Sequence, residues 1–93
     1  MGHSLRQILG ERLHLTRRRA GLSQVALATR AAISPTTLNR VELGRQKLFA
    51  DTLVTLAQIL DVRVDYLVGL SEDDGPPTQV PKRADEAPAR PQG

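Results

Sequence analysis

Residues Gly21 to Gly44, GLSQVALATRAAISPTTLNRVELG, restrict what the chain can fold into more than any other stretch. They read as two short helices with only Ala32 and Ile33 between them. Ser23 is placed to cap the first, whose Leu27, Ala28 and Ala31 share one apolar face. Ser34 is placed to cap the second. There Pro35 at the first turn forfeits no hydrogen bond, Leu38 and Val41 face inward, and Gly44 tolerates a left-handed exit. Helices this short do not hold in water alone. The pair needs a larger body behind it, which leaves its outer face for presentation.

That outer face carries Pro35, Thr36, Asn39 and Arg40, with Thr37 pointing outward beside them. Apart from Pro35 these are side chains that hydrogen-bond to base edges and phosphates, and the spacing is that of a helix-turn-helix. Charge runs the same way. Residues 1–47 hold nine Arg or Lys against two acids, although the whole chain nets only +3. A concentrated positive face favours a polyanion. A solvated Arg-rich surface has the same composition, so charge alone does not separate the two.

The rest of the chain supplies the body. In LRQILGERLHLTRRRA, residues 5–20, Leu9, Leu13, Thr16 and Ala20 follow a helical period, and Leu5 and Ile8 widen the stripe. Gly10 inside it costs up to about 1 kcal/mol relative to Ala. Gly21 ends this helix. Arg17, Arg18 and Arg19 suit its carbonyl end and also form a candidate phosphate-contacting edge. Gln24 opens the next helix, where free amides and the positive dipole end favour a phosphate. A polar loop with Arg45 and Lys47 follows Gly44. Leu53, Leu56, Ala57 and Leu60 then mark a fourth helix from Asp51, and Val64 to Val68 one further turn, ended by Gly69. No segment alternates as a strand does.

From Ser71 onward the chain holds five of its six prolines and a single large aliphatic residue, Val80. Such a segment buries too little apolar surface to offset chain entropy, so 71–93 is expected to be disordered: a solubiliser, a linker or a partner-binding segment. The ordered part, 1–70, is near the lower limit for independent folding and leaves no room for a buried catalytic pocket. With no cysteine, disulfides and thiolate metal sites are excluded. No apolar run reaches the roughly 18 residues of a membrane span and no signal-peptide core follows Met1, so a cytoplasmic protein without a membrane partner is expected. His3 and His14 are isolated, no carboxylates pair in a pocket, and no glycine-rich phosphate loop occurs. Neither an enzyme, a cofactor, a metal nor a small-molecule ligand is expected. His14 reads as an exposed helix residue.

Taken in order, GLSQ, the LA pair, a two-residue turn, Ser34, a polar run, Leu38, Arg40-Val41-Glu42, Gly44 and a Leu-periodic helix resemble the Cro/phage-repressor (XRE-like) helix-turn-helix regulators over roughly residues 5–70. The resemblance implies an all-α, five-helix bundle of the lambda-repressor type, with the helix-turn-helix at 23–44. It further implies a recognition helix, 35–43, in the major groove. Pro35, Thr36, Asn39 and Arg40 match the family's base-facing positions. Gln24, Thr37, Arg45 and Lys47 match phosphate-contacting ones, which Arg18 in the basic edge would join. Arg17 and Glu42 match a partly buried ion pair, which would make Glu42 a scaffold residue. The chain departs from the family at Ala32, where Gly is usual, and at Val25 and Ala26, where acids are common. It also departs at Leu48 and Phe49, in a loop more apolar than the norm, where Phe49 is either a protein contact or a buried anchor.

The implied activity is sequence-specific binding of double-stranded DNA by a repressor. One bundle touches few base pairs, so a homodimer on a palindrome is expected, with Val62, Val64, Tyr66, Leu67, Val68 and Leu70 as the candidate surface. A second class stays open: an antitoxin-like or protein-interaction module whose tail or apolar end binds another protein.

Overall fold

The computed structural model describes residues 4–74. Among them run five helices and no strand: α1 Leu5–Arg19, α2 Gln24–Arg30, α3 Pro35–Glu42, α4 Ala50–Leu60 and α5 Val64–Leu67. The all-α architecture is the expected one. The disorder expected of the tail falls, from residue 75 onward, outside the described residues, as does His3.

Three of the helix starts are fixed by serines. Ser23 Oγ accepts from the Ala26 amide at 3.0 Å and Ser34 Oγ from the Thr37 amide at 3.0 Å. Ser4, which drew no notice in the sequence, closes a full capping box on α1: its Oγ accepts from the Gln7 amide, and Gln7 Oε1 accepts from the Ser4 amide. By contrast α4 starts at Phe49 with no side-chain cap. Ala32, in the turn between α2 and α3, does adopt the left-handed conformation at φ +58°, a strain of about 1–2 kcal/mol for a residue with a Cβ. Asp61 closes α4 in the same region at φ +56°, where a short polar side chain is better tolerated. Gly44 ends α3 at φ +73°, with Gln7 of α1 so near that an added Cβ would sit 3.2 Å from its Cα.

Each helix contributes one leucine with no exposed surface: Leu13, Leu27, Leu38, Leu56 and Leu67. Around these five lie Leu9, Ala28, Ala31, Val41, Ala57 and Leu60, with Leu22, Ile33 and Leu53 packed on the rim. The periodic positions of α2, α3 and α4 therefore point inward as read. Several others do not. Leu5 and Ala20, at the two ends of the α1 stripe, are exposed. Phe49 is 84% exposed, which removes the buried-anchor reading. Val62 and Tyr66, expected on an association surface, are buried in the chain's own core, because α5 is only four residues long and packs both against α1 and α4.

Gly10 has a role that helix propensity does not reveal. A Cβ there would stand 2.4 Å from the Val41 carbonyl oxygen and 2.7 Å from that of Glu42. The missing side chain lets the backbone of α1 lie directly on the last turn of α3. Gly10→Ala gains about 1 kcal/mol of helix propensity but forces two backbones apart. It is expected to destabilise by about 1–3 kcal/mol net, an overpacking cost. Chemical denaturation measures this, and a gain in stability would refute the close crossing.

Candidate nucleic-acid interface

The polar centre of the fold lies where α1, α2 and α3 meet. The buried Arg17 of α1 donates from Nε to Glu42 Oε2 at 2.7 Å and from Nη2 to Oε1 at 3.0 Å. Its Nη1 donates to the Leu22 carbonyl at 2.8 Å, holding the α1–α2 link. Glu42 Oε1 also accepts from Gln24 Nε2 of α2 at 3.0 Å and lies 2.9 Å from His14 Nδ1. Burial alone would raise the Glu42 carboxyl. Hydrogen bonds from Arg17, His14 and Gln24, with the positive charge of Arg17, outweigh that and hold it below its ordinary value. No buried side-chain polar atom among the described residues lacks a partner. His14 is thus not the isolated surface residue the sequence suggested. Its place three residues before Arg17 on one helix was the available signal.

The base-facing candidates come together on α3. Thr36, Asn39 and Arg40 stand at i, i+3 and i+4 on its exposed side, and Pro35 is exposed at its start. Gln24 Nε2 reaches Asn39 Oδ1 at 3.2 Å, so one side chain spans the two helices of the motif. Thr37 is half-buried, and its hydroxyl accepts from Ser34 Oγ at 2.8 Å, so it points less freely outward than expected. Arg45 and Lys47 are exposed in the loop from α3 to α4. Arg18 is exposed in the last turn of α1, and no hydrogen bond or ion pair joins it to the others among the described residues.

The charges divide by partner. Arg12 donates from Nη1 to the Tyr66 and Ser71 carbonyls at 2.8 and 2.7 Å, and from Nη2 to Glu72 at 2.8 Å, while lying over the Tyr66 ring. Arg19 pairs with Asp74 at 2.8 Å, and Arg63 stands 3.8 Å from Asp73. Residues 71–74, assigned to the disordered tail from composition, therefore lie against α1 and α5. Their acids neutralise cations on that side. Arg18, Arg40, Arg45 and Lys47 have no such partner among the described residues. Nor do the described residues group three metal-ligating side chains in one place.

Removing Glu42 strands Arg17 in the interior, and Glu42→Ala is expected to cost about 3–5 kcal/mol. The pH dependence has a definite sign. Folding lowers this carboxyl, so its contribution is complete above the ordinary value of 4.5 and is lost as pH falls through the lowered value. Thermal unfolding of the wild type and Glu42→Gln is expected to differ widely at neutral pH and to converge in acid. An unchanged melting temperature at neutral pH would contradict a structural role for the pair.

Residues 8–67 match the family described as "Helix-turn-helix domain". The "Uncharacterized HTH-type transcriptional regulator YobD" of Bacillus subtilis (strain 168) is 35% identical over 66 residues, which make up 71% of this chain and 59% of that relative. Among solved structures, the clp gene regulator ClgR from Corynebacterium glutamicum has a TM-score of 0.69 at 26% identity, covering 73% of this chain and 72% of its own. The restriction-modification controller protein C.AhdI from Aeromonas hydrophila has a TM-score of 0.63 at 29% identity, covering 67% and 94%. With the serine-capped helix pair, its polar outer row and the buried Arg17–Glu42 pair in place, these likenesses make the chain a member of the helix-turn-helix family of transcriptional regulators of the Cro/phage-repressor type.

Proposed function

We propose that the chain binds double-stranded DNA sequence-specifically through α3 and acts as a transcriptional repressor, as a homodimer on a palindromic operator. The observation that carries this reading is the exposed row Thr36, Asn39 and Arg40, flanked by cations that no acid among the described residues neutralises. In this reading α3 lies in the major groove. Arg40 offers a guanidinium fork to guanine O6 and N7, Asn39 an amide to adenine N6 and N7, and Thr36 a hydroxyl. Pro35 packs against a thymine methyl. Gln24, Thr37, Arg18, Arg45 and Lys47 hold phosphates and set the register. The chain regulates by occupancy and carries out no reaction of its own. It works where the DNA is, in the cytoplasm; no helix among the described residues is long and apolar enough to cross a membrane.

Two copies are needed to read enough sequence. The association surface proposed is what remains of the apolar end once Val62, Tyr66 and Leu67 are assigned to the core. Leu70 is 81% exposed, and Val64 and Val68 are half-buried beside it. A two-fold pair would set the two α3 helices about 34 Å apart, one turn of duplex. The exposed Phe49 favours a second reading, contact with a different protein, in the manner of an antitoxin.

Selection of bound fragments from random duplex DNA at stated salt tests the core reading, and a palindromic consensus is expected. Arg40→Ala is expected to cost about 1–3 kcal/mol and to relax the preference at one position. Lys47→Ala or Arg45→Ala should weaken all sequences alike and reduce the salt slope by about one. Unaltered affinity and preference on replacing Thr36, Asn39 and Arg40 together would overturn the assignment. Sedimentation at micromolar concentration is expected to show a dimer; a species that stays monomeric on its DNA would refute that part.

A further inference from the structure

His14 stands where no role in the reading above has been given to it. Its Nδ1 faces inward, 2.9 Å from Glu42 Oε1 and 3.2 Å from Arg17 Nη2. Its side chain is 45% exposed, so the ring's other edge meets solvent. The shallow depression it borders is walled by Glu11, Gln24, Asn39, Glu42 and Leu43. Two of those, Gln24 and Asn39, belong to the proposed DNA-contacting set. The imidazole is therefore held at the rim of that surface by the same carboxylate that holds Gln24.

We propose that His14 is a proton-dependent phosphate contact of the DNA-binding face, which strengthens binding as pH falls. This rests on the DNA-binding reading above and adds its regulation. The charged groups facing the ring are Glu42 from α3 and Arg17 from its own helix, with Glu11 one turn earlier on α1; α2 presents only the neutral Gln24. Arg17 and Glu42 cancel each other. While the imidazole is neutral, one nitrogen is a donor and the other an acceptor. Donation from Nδ1 to Glu42 leaves Nε2 as a bare lone pair on the solvent side, which repels a phosphate oxygen. A second proton turns Nε2 into a donor, offsets the remaining negative charge of Glu11 so that the cluster beside Gln24 is no longer net negative, and keeps the Nδ1 bond to Glu42. Imidazole is the ordinary side chain that changes charge between about pH 5 and 8. Glu42, held below the ordinary carboxylate range by its hydrogen bonds, remains an anion across that window. The carboxylate therefore anchors the ring while the outer nitrogen changes character.

The experiment uses the full chain with His3→Gln as background, so that His14 is the only imidazole, and a mixed-sequence duplex of about two helical turns at low salt. Affinity is measured near pH 8 and near pH 5.5, with thermal unfolding of each protein at both. Binding is expected to tighten about tenfold on acidification, the equivalent of one charge-assisted contact, with a salt slope steeper by about one. His14→Gln, which cannot charge, should respond little to pH. His14→Lys, always charged, should bind tightly at both and serves as the folded control if the Gln variant is destabilised. Binding that does not change with pH, or a His14→Gln variant with the wild-type response, overturns this proposal and leaves the DNA-binding reading standing. Absence of binding at either pH overturns both.

Discussion

One carboxylate oxygen, Glu42 Oε1, lies within hydrogen-bonding distance of groups from three places: Arg17 and His14 on α1, and Gln24 on α2. A buried anion unsatisfied by even one strong donor is costly, so the positions of α1 and α2 relative to the end of α3 are tied together by this one requirement. The pair is not a large net source of stability; well-packed apolar residues of the same volume often do as well. What it provides is position. If α3 rotates or slides along its axis, Glu42 leaves the Arg17 fork and a guanidinium is left buried alone. The outward row Thr36, Asn39 and Arg40 is on the same short helix, so the direction it faces is set by that constraint.

The constraint works only because the backbones are close enough to allow it. Gly10 lets α1 rest on the Val41 and Glu42 carbonyls. Five leucines, one per helix, then converge on a core that no helix could bury alone, α2 being seven residues long and α5 four. Short helices need their ends satisfied as well as their faces covered, and Ser4, Ser23 and Ser34 do this for the first three. The left-handed Ala32 shows the order of strengths. A strain of about 1–2 kcal/mol is accepted where the turn geometry of the helix pair demands it.

These layers were unequally legible in the sequence. Caps and periodicity are local, and Ser23, Ser34, Leu27, Leu38 and Leu56 could be read directly because a residue and its immediate neighbours determine their roles. The outer row of α3 followed from the same period. What escaped was set by contacts between segments far apart in the chain. Gly10 looked like a helix defect because its partner carbonyls lie about thirty residues later. His14 looked solitary for the same reason. Tyr66 and Val62 looked like surplus apolar surface because four residues of helix do not reveal which side is covered. The acidic residues of 71–74 looked like the start of a tail because composition does not show that Arg12, Arg19 and Arg63 face them.

Those acids also sharpen the charge argument. In the sequence the first half is strongly basic; in the fold, Arg12 and Arg19 are paired while Arg18, on the same helix, has no ion-pair partner among the described residues. Counterion release depends on the cations left unneutralised, so the paired side contributes little to polyanion attraction and the α3 side most of it. In the proposed reading, the Gln24–Asn39 bond would add selectivity to that attraction. Asn39 Oδ1 has two lone pairs, and Gln24 engages one of them, so the other and the amide donors remain for a base edge. Both Nε2 hydrogens of Gln24 are engaged, by Glu42 and by Asn39. In the proposed complex Gln24 therefore meets a phosphate through its backbone amide at the start of α2, while its side chain holds the Asn39 amide in one orientation, which lowers the entropy lost when that amide contacts a base. In the proposed complex, backbone anchoring and base reading are therefore energetically coupled. In that proposed complex, weakening the phosphate contact of Gln24 would loosen the Asn39 amide assigned to base reading, whereas weakening the contacts proposed for Arg45 and Lys47 would not.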